Sequence, residues 1–154
     1  MSDVLSPEAR ARNMRAIRAR DTGPELLIRK ALHRKGFRYR LHVRELPGTP
    51  DIVFPKFRAA VFVHGCFWHQ HHCSLFKLPS TRPDFWREKI ARNALRDRDA
   101  REKLLADGWR IATVWECALK GRFRQGVENV ADTLAFWLGD ADEAAIEIAE
   151  IWID

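Results

Sequence analysis

The chain is 154 residues long, enough for one domain of ordinary size around a single hydrophobic core. Hydrophobic residues make up 46% and charged residues 31%, which excludes a disordered composition. No apolar run approaches the roughly 20 residues needed to span a bilayer, so no membrane partner is expected. The opening residues lack an apolar stretch after a basic start, so they do not read as a secretory signal and a soluble cytoplasmic protein is expected. The net charge of +6 is uneven: residues 1–60 hold 14 Lys and Arg against 6 Asp and Glu, whereas residues 140–154 hold 6 acids and no base. A basic body with a separate acidic tail points to a polyanionic partner met by the N-terminal part, although charge alone fits a solvated surface equally well.

In chain order, Ser6-Pro7-Glu8 is a helix-start signal, with Ser as N-cap and Pro at the first helical position. The helix that follows scatters five arginines around its axis and offers only Met14 and Ile17 as sizeable apolar contacts. Residues 1–20 are therefore expected to be a basic arm that orders on its partner. Asp21 to Glu25 repeats the start signal and opens the main domain, expected over 21–139. A helix with Leu27, Ile28, Ala31 and Leu32 at helical spacing follows, stopped by Gly36. Phe37 to Leu41 alternates like a half-buried strand. Asp51 to Phe54 is a short buried-strand signal, and Arg58 to His64 reads as the next strand. A long helix is expected from an N-cap at Asp84 to about Ala106, with its apolar stripe weak around Asp97-Arg98-Asp99. Arg110 to Trp115 is another strand, and a last helix covers about Arg124 to Leu138. The acidic tail, 140–154, fits an edge strand or a helix. This order predicts an α/β domain with a mixed central β-sheet flanked by helices.

The densest chemistry lies between His64 and Cys73. Zinc prefers four tetrahedral thiolate and imidazole ligands, and a closed set of four marks a structural site. Cys66, His71 and Cys73 supply three within eight residues, and Cys117 can supply the fourth from a distant strand end. His69 and His72 compete for the histidine position. Three cysteines cannot pair off, and four of the six histidines crowd beside two of them, so buried apolar cysteines with surface histidines are the weaker reading. The site lacks the deaminase pattern, because His64-Gly65-Cys66 has no Glu and the chain has no C-x-x-C. Using all three thiols also closes the open position that a zinc hydrolase needs, so the zinc is expected to be structural.

Asp51 opens one strand and His64 ends the next. If these pair as a hairpin, both emerge at one end of the sheet. A carboxylate there suits magnesium bridging a scissile phosphate, and a neutral histidine nearby can take a proton from water. Taken alone, Asp51 fits a turn-capping aspartate at least as well.

Thr49-Pro50-Asp51, Val63 to His69, His71-His72-Cys73 and Trp115-Glu116-Cys117, together with Phe85 to Ile90 and Gly108-Trp109-Arg110, resemble the very short patch repair endonucleases. The resemblance runs from about Met14 to Leu119, with its motifs in order. It implies a restriction-endonuclease-like fold and nicking of duplex DNA 5′ to the thymine of a T:G mismatch, the product of 5-methylcytosine deamination. It makes Asp51 the carboxylate ligand of catalytic Mg2+, His69 the general base, His64 a second active-site histidine, and Glu25 an outer-shell group holding metal-bound water. Val63 would contribute its main-chain carbonyl to magnesium, where the family's best-known members carry Thr. Cys66, His71, Cys73 and Cys117 would hold Zn2+, leaving His72 a bystander.

Trp109, Trp115 and Trp137 read best as aromatic core. For Phe67, Trp68 and Trp86 the resemblance implies a wedge pushed into the base stack, which costs least at a mismatch. The arm arginines, Arg12 and Arg15 among them, would contact phosphates or a groove. The expected enzyme is a monomer acting on double-stranded DNA, with contacts to other mismatch-repair proteins as a further expectation. Two rivals are a restriction-type endonuclease cutting matched duplex and a non-catalytic zinc-containing DNA-binding module.

Overall fold

The computed structural model describes residues 22–152. The arm, with Arg12 and Arg15, lies outside the described residues. Helix α1 (Gly23–Arg34) leads into β1 (Arg40–Leu41), β2 (Ile52–Phe54) and β3 (Ala59–His64). Helix α2 (Pro83–Ala106) crosses to β4 (Arg110–Trp115), and α3 (Val127–Asp140) crosses to β5 (Ala145–Ile148). The five strands form one mixed sheet in the order β1-β2-β3-β4-β5. The first two pairings are antiparallel and the last two parallel. Each parallel pair is joined through a helix, as parallel strands require. Among the described residues no helix is long and apolar enough to cross a membrane.

Alternation along the central strands builds the two faces. Ala59 and Val61 of β3, with Ala112 and Val114 of β4, pack under Ile28 and Leu32 of α1 and Leu134 and Trp137 of α3. The intervening residues Phe62 and Ile111 turn to the other face, against Leu104 of α2. His64 and Trp115 continue that second series, so both point to the α2 side at the carboxyl end of the parallel strands. Strand ends of this kind are where open α/β sheets place their chemistry.

Thr22 caps α1 by accepting the Glu25 N–H at 3.4 Å, with Pro24 in the first turn. The C-terminus of α3 has no glycine cap. Instead the Arg110 guanidinium donates to the carbonyls of Trp137, Leu138 and Ala141, where a cation also meets the helix dipole favourably. The Leu46–Pro50 loop needs glycine at Gly48: its φ is +77°, and a Cβ would lie 2.7 Å from the Ala100 Cβ. That contact seats the start of β2 against α2.

Several sequence expectations change. The run from Phe37 yields a ladder at Arg40–Leu41 only, because Phe37 and Tyr39 are used as rings packed on Phe54 rather than as paired backbone. The N-cap of α2 is Arg82, in the left-handed region, not Asp84, which follows Pro83 inside the first turn. Helix α3 starts at Val127 because the Gln125 and Gly126 N–H groups both turn back to the Ala118 carbonyl. The acidic tail supplies an edge strand that pairs parallel with β4.

Candidate active site and metal centre

The loop between β3 and α2 carries two clusters in opposite directions. In the first, the ligand atoms of Cys66, His71, Cys73 and Cys117 all lie within 4.8 Å of one another. Cys66 and Cys117 are fully buried. The His71 N–H donates to the Cys66 carbonyl at 2.9 Å, and its ring stacks on Trp115 with centroids 4.1 Å apart. This stacking turns Nδ1 towards Cys117 Sγ, 3.7 Å away. The Glu150 N–H donates to the same sulfur at 3.3 Å, as backbone amides do around thiolates in metal sites. Burial raises the Cys66 thiol well above its usual range and pushes Cys117 up to about 11, while burial holds His71 neutral. Three crowded thiols, two of them fully buried, and one imidazole form a donor set that could bind zinc. The competing histidines point elsewhere. His72 is exposed against Phe76, and His69 faces α2.

The residue between them explains the division. Gln70 has φ +57°, in the left-handed region, so the chain reverses between His69 and His71. His69 therefore enters the second cluster, where its Nδ1 lies 2.5 Å from Asp97 Oδ2 on α2. The His64 ring stacks face to face on His69, with centroids 3.7 Å apart and planes 5° apart. Burial, helped by the charge of neighbouring His69, lowers His64 to about 3. His64 Nδ1 is buried without a hydrogen-bond partner, which a neutral ring tolerates better than an imidazolium. A cleft of about 210 Å³ opens here, lined by His64, His69, Asp97, Arg98 and Arg101.

Near this cleft lies a third group, built on Asp51. Its Oδ2 accepts the Val63 N–H at 2.7 Å, which ties the start of β2 to the end of β3. Burial pushes its carboxyl up to about 6 despite that bond, and the nearby Glu25 carboxylate adds to the rise. Glu25 is only 1% exposed, unusual for an acid in a first helical turn. It pairs with Arg29 at 2.9 Å and with His42 Nε2 at 3.1 Å, and His42 Nδ1 lies 4.0 Å from Asp51 Oδ1. Glu25, His42 and Asp51 together offer ligand atoms within 4.8 Å of one another.

The structure thus brings together Asp51, Val63, His64, His69 and Glu25. Phe67 and Trp68, which directly precede His69 along the loop, form one half-buried aromatic group with Trp86 of α2, with centroids 5.0 to 5.9 Å apart. Asn93 of α2 holds this group by donating to the Trp68 carbonyl at 3.0 Å. Trp115 and Trp137 are buried core, and Trp109 packs partly buried on the α2 side. Sequence reasoning missed His42 and the role of Asp97. The polar break in the α2 stripe was the available signal for Asp97, since a helix gives up apolar residues where it serves a site.

The sequence model of the family described as DNA mismatch endonuclease Vsr matches residues 2–75. The type II nicking enzyme V.XorIIP of Xanthomonas oryzae pv. oryzae is 48% identical over 134 residues, covering 86% of this chain and 98% of that protein. The DNA mismatch endonuclease Vsr of Escherichia coli is 45% identical over 148 residues, 96% of this chain and 95% of its own. The type II nicking enzyme V.NmeAIP of Neisseria meningitidis is 41% identical over 122 residues, 79% and 87% of the two chains. With such similarity running through the arm, the clustered cysteines and the cleft, the chain belongs to the Vsr DNA mismatch endonuclease family and is a DNA-nicking endonuclease.

Proposed function

We propose that this endonuclease nicks duplex DNA 5′ to the thymine of a T:G mismatch left by 5-methylcytosine deamination, acting in very short patch repair. The observation that carries the chemistry is Asp51 fixed to the Val63 N–H, within electrostatic reach of a histidine that is itself fixed by Asp97. The 45% identity to a mismatch endonuclease supports the substrate, and the sheet with its flanking helices agrees with a restriction-endonuclease-like fold.

In this reading Asp51 and the Val63 carbonyl would hold Mg2+, with Glu25 positioned behind them. When bound, magnesium would neutralise charge on the scissile phosphate and the departing oxygen. Asp97 accepts from His69 Nδ1, which leaves Nε2 to take the proton of the attacking water. His64 stays neutral beside it, so His69 gains a proton without a like charge stacked against its face. Cys66, His71, Cys73 and Cys117 would hold structural Zn2+ and stiffen the loop that carries both histidines. Phe67, Trp68 and Trp86 would enter the base stack, and Arg12 and Arg15 of the arm 1–20 would meet the backbone. The main domain 21–139 would carry the chemistry, with the acidic segment 140–154 adding the edge strand β5 to its sheet.

Labelled duplexes with one T:G mismatch and matched controls, incubated with or without magnesium, test the reading. The expected result is a metal-dependent nick beside the mismatch with wild type and none with Asp51→Ala. Trp68→Ala should keep zinc and lose mismatch cleavage. Cuts in both strands of matched DNA would favour the restriction enzyme, and binding without cleavage the DNA-binding module.

A further inference from the structure

We propose that His42 is a nitrogen ligand for the divalent cation held by Asp51, and that it shifts this site's preference from magnesium towards manganese. The inference rests on the reading of Asp51 as a cation ligand.

His42 occupies a left-handed backbone conformation, φ +50°, just after β1. Its N–H donates to the Asp51 carbonyl at 3.0 Å, so the two residues are fixed to each other through the main chain. His42 Nε2 lies 3.1 Å from Glu25 Oε2, within ion-pair distance. Its other ring nitrogen, Nδ1, is on the Asp51 side, and the three residues offer ligand atoms within 4.8 Å of one another. Nδ1 and Asp51 Oδ1 are 4.0 Å apart. That is too long for a hydrogen bond, yet it fits two ligand bonds of roughly 2.0–2.2 Å meeting at a shared ion. The other Asp51 oxygen is occupied by the Val63 N–H, which leaves Oδ1 as the inward donor.

Glu25 places a carboxylate beside the distal ring nitrogen, the usual companion of a ligating histidine. It is itself fixed, being buried on α1 and paired with Arg29. The donor set therefore includes imidazole as well as oxygen. Magnesium is a hard ion that favours oxygen, whereas first-row transition ions accept imidazole readily. An Asp51 site with His42 in its shell should accordingly hold manganese better than an oxygen-only site would.

The test is Mn2+ titration into the zinc-loaded full chain, followed by electron paramagnetic resonance, with Mg2+ as competitor. His42→Gln should weaken manganese about tenfold and magnesium much less, in line with the 10–100-fold cost of losing an ordering group at a metal site. The nitrogen modulation of bound Mn2+ should change in 15N-histidine wild type and disappear in His42→Gln, while zinc content and thermal unfolding stay as in wild type. Wild-type protein without histidine coupling, or a variant with unchanged manganese preference, would overturn the proposal and leave His42 as a brace for Glu25. If Asp51→Ala leaves Mn2+ binding unchanged, the reading of Asp51 as a ligand fails and the role of His42 fails with it. The labelled wild type decides the question even where the variant does not fold.

Discussion

In the cysteine cluster, three thiols and one imidazole turn toward one another, Cys66 and Cys117 fully buried and His71 and Cys73 partly so. Between Cys66 and His71 on the same loop, His69 stands in an open cleft beside an aspartate and a stacked neutral histidine, near a carboxyl held at about 6. The first region turns its donors on one another and on the backbone amide of Glu150. The second keeps groups in costly states, a protonation-shifted acid and an unpartnered buried nitrogen, which stability alone would not retain. Rigidity and reactivity are thus separated by the single reversal at Gln70 rather than by distance.

The contrast should fail most heavily on the closed side. Structural zinc contributes on the order of 10 kcal/mol to folding in small zinc peptides, so Cys66→Ser should lose the metal and most of the cooperative unfolding transition. Zinc content and thermal denaturation check this. On the open side, His69→Ala should keep zinc and the unfolding midpoint but lower nicking about 100-fold or more. Asp97→Asn should cost less and also displace the acidic limb of the pH–rate profile, a shift that a merely structural role would not produce.

Asp51 gives a smaller, pH-dependent effect. Its folded pKa of about 6 exceeds the ordinary 3.8, so the folded chain binds more protons between these values and loses stability as pH rises through them. The loss is up to about 3 kcal/mol. With magnesium withheld, wild type should therefore lose denaturant stability from about pH 4 to 6, whereas Asp51→Asn should stay nearly flat over that window. Gln70→Val sharpens the comparison at the hinge itself. A β-branched residue in the left-handed region costs about 1–2 kcal/mol, and zinc retention and nicking should fall together. A fall in one alone would show that the two regions are not coupled through this residue.

The zinc-type ligands were legible because their signal is local: cysteine and histidine at short spacing is chemically rare. The buried strands and α3 were legible from periodicity, and the hairpin placed Asp51 and His64 at one end as expected. Glu25 came only through family resemblance, since an acid in the first turn of a helix ordinarily reads as a capping charge. His42 left no trace, because a lone histidine after a two-residue strand has no spacing to betray it. Asp97 sat in plain view as a defect in an amphipathic helix. The tail was ambiguous because its acids mask the alternation of Ile146 and Ile148, which becomes meaningful only once β4 is there to pair with it.

That tail closes onto the cysteine cluster. The Glu150 carboxylate accepts from both the backbone N–H and the hydroxyl of Ser74, next to Cys73, and its N–H reaches Cys117. Synthesis from the N-terminus delivers Cys66, His71 and Cys73 early, Cys117 some way behind them, and this clamp later still. A nascent chain can bury its α1 face and pair β2 with β3 while the loop bearing His69 remains unfastened. The loop bearing His69 is thus fastened at its far end by the segment just after β5, although that segment is more than seventy residues away in sequence.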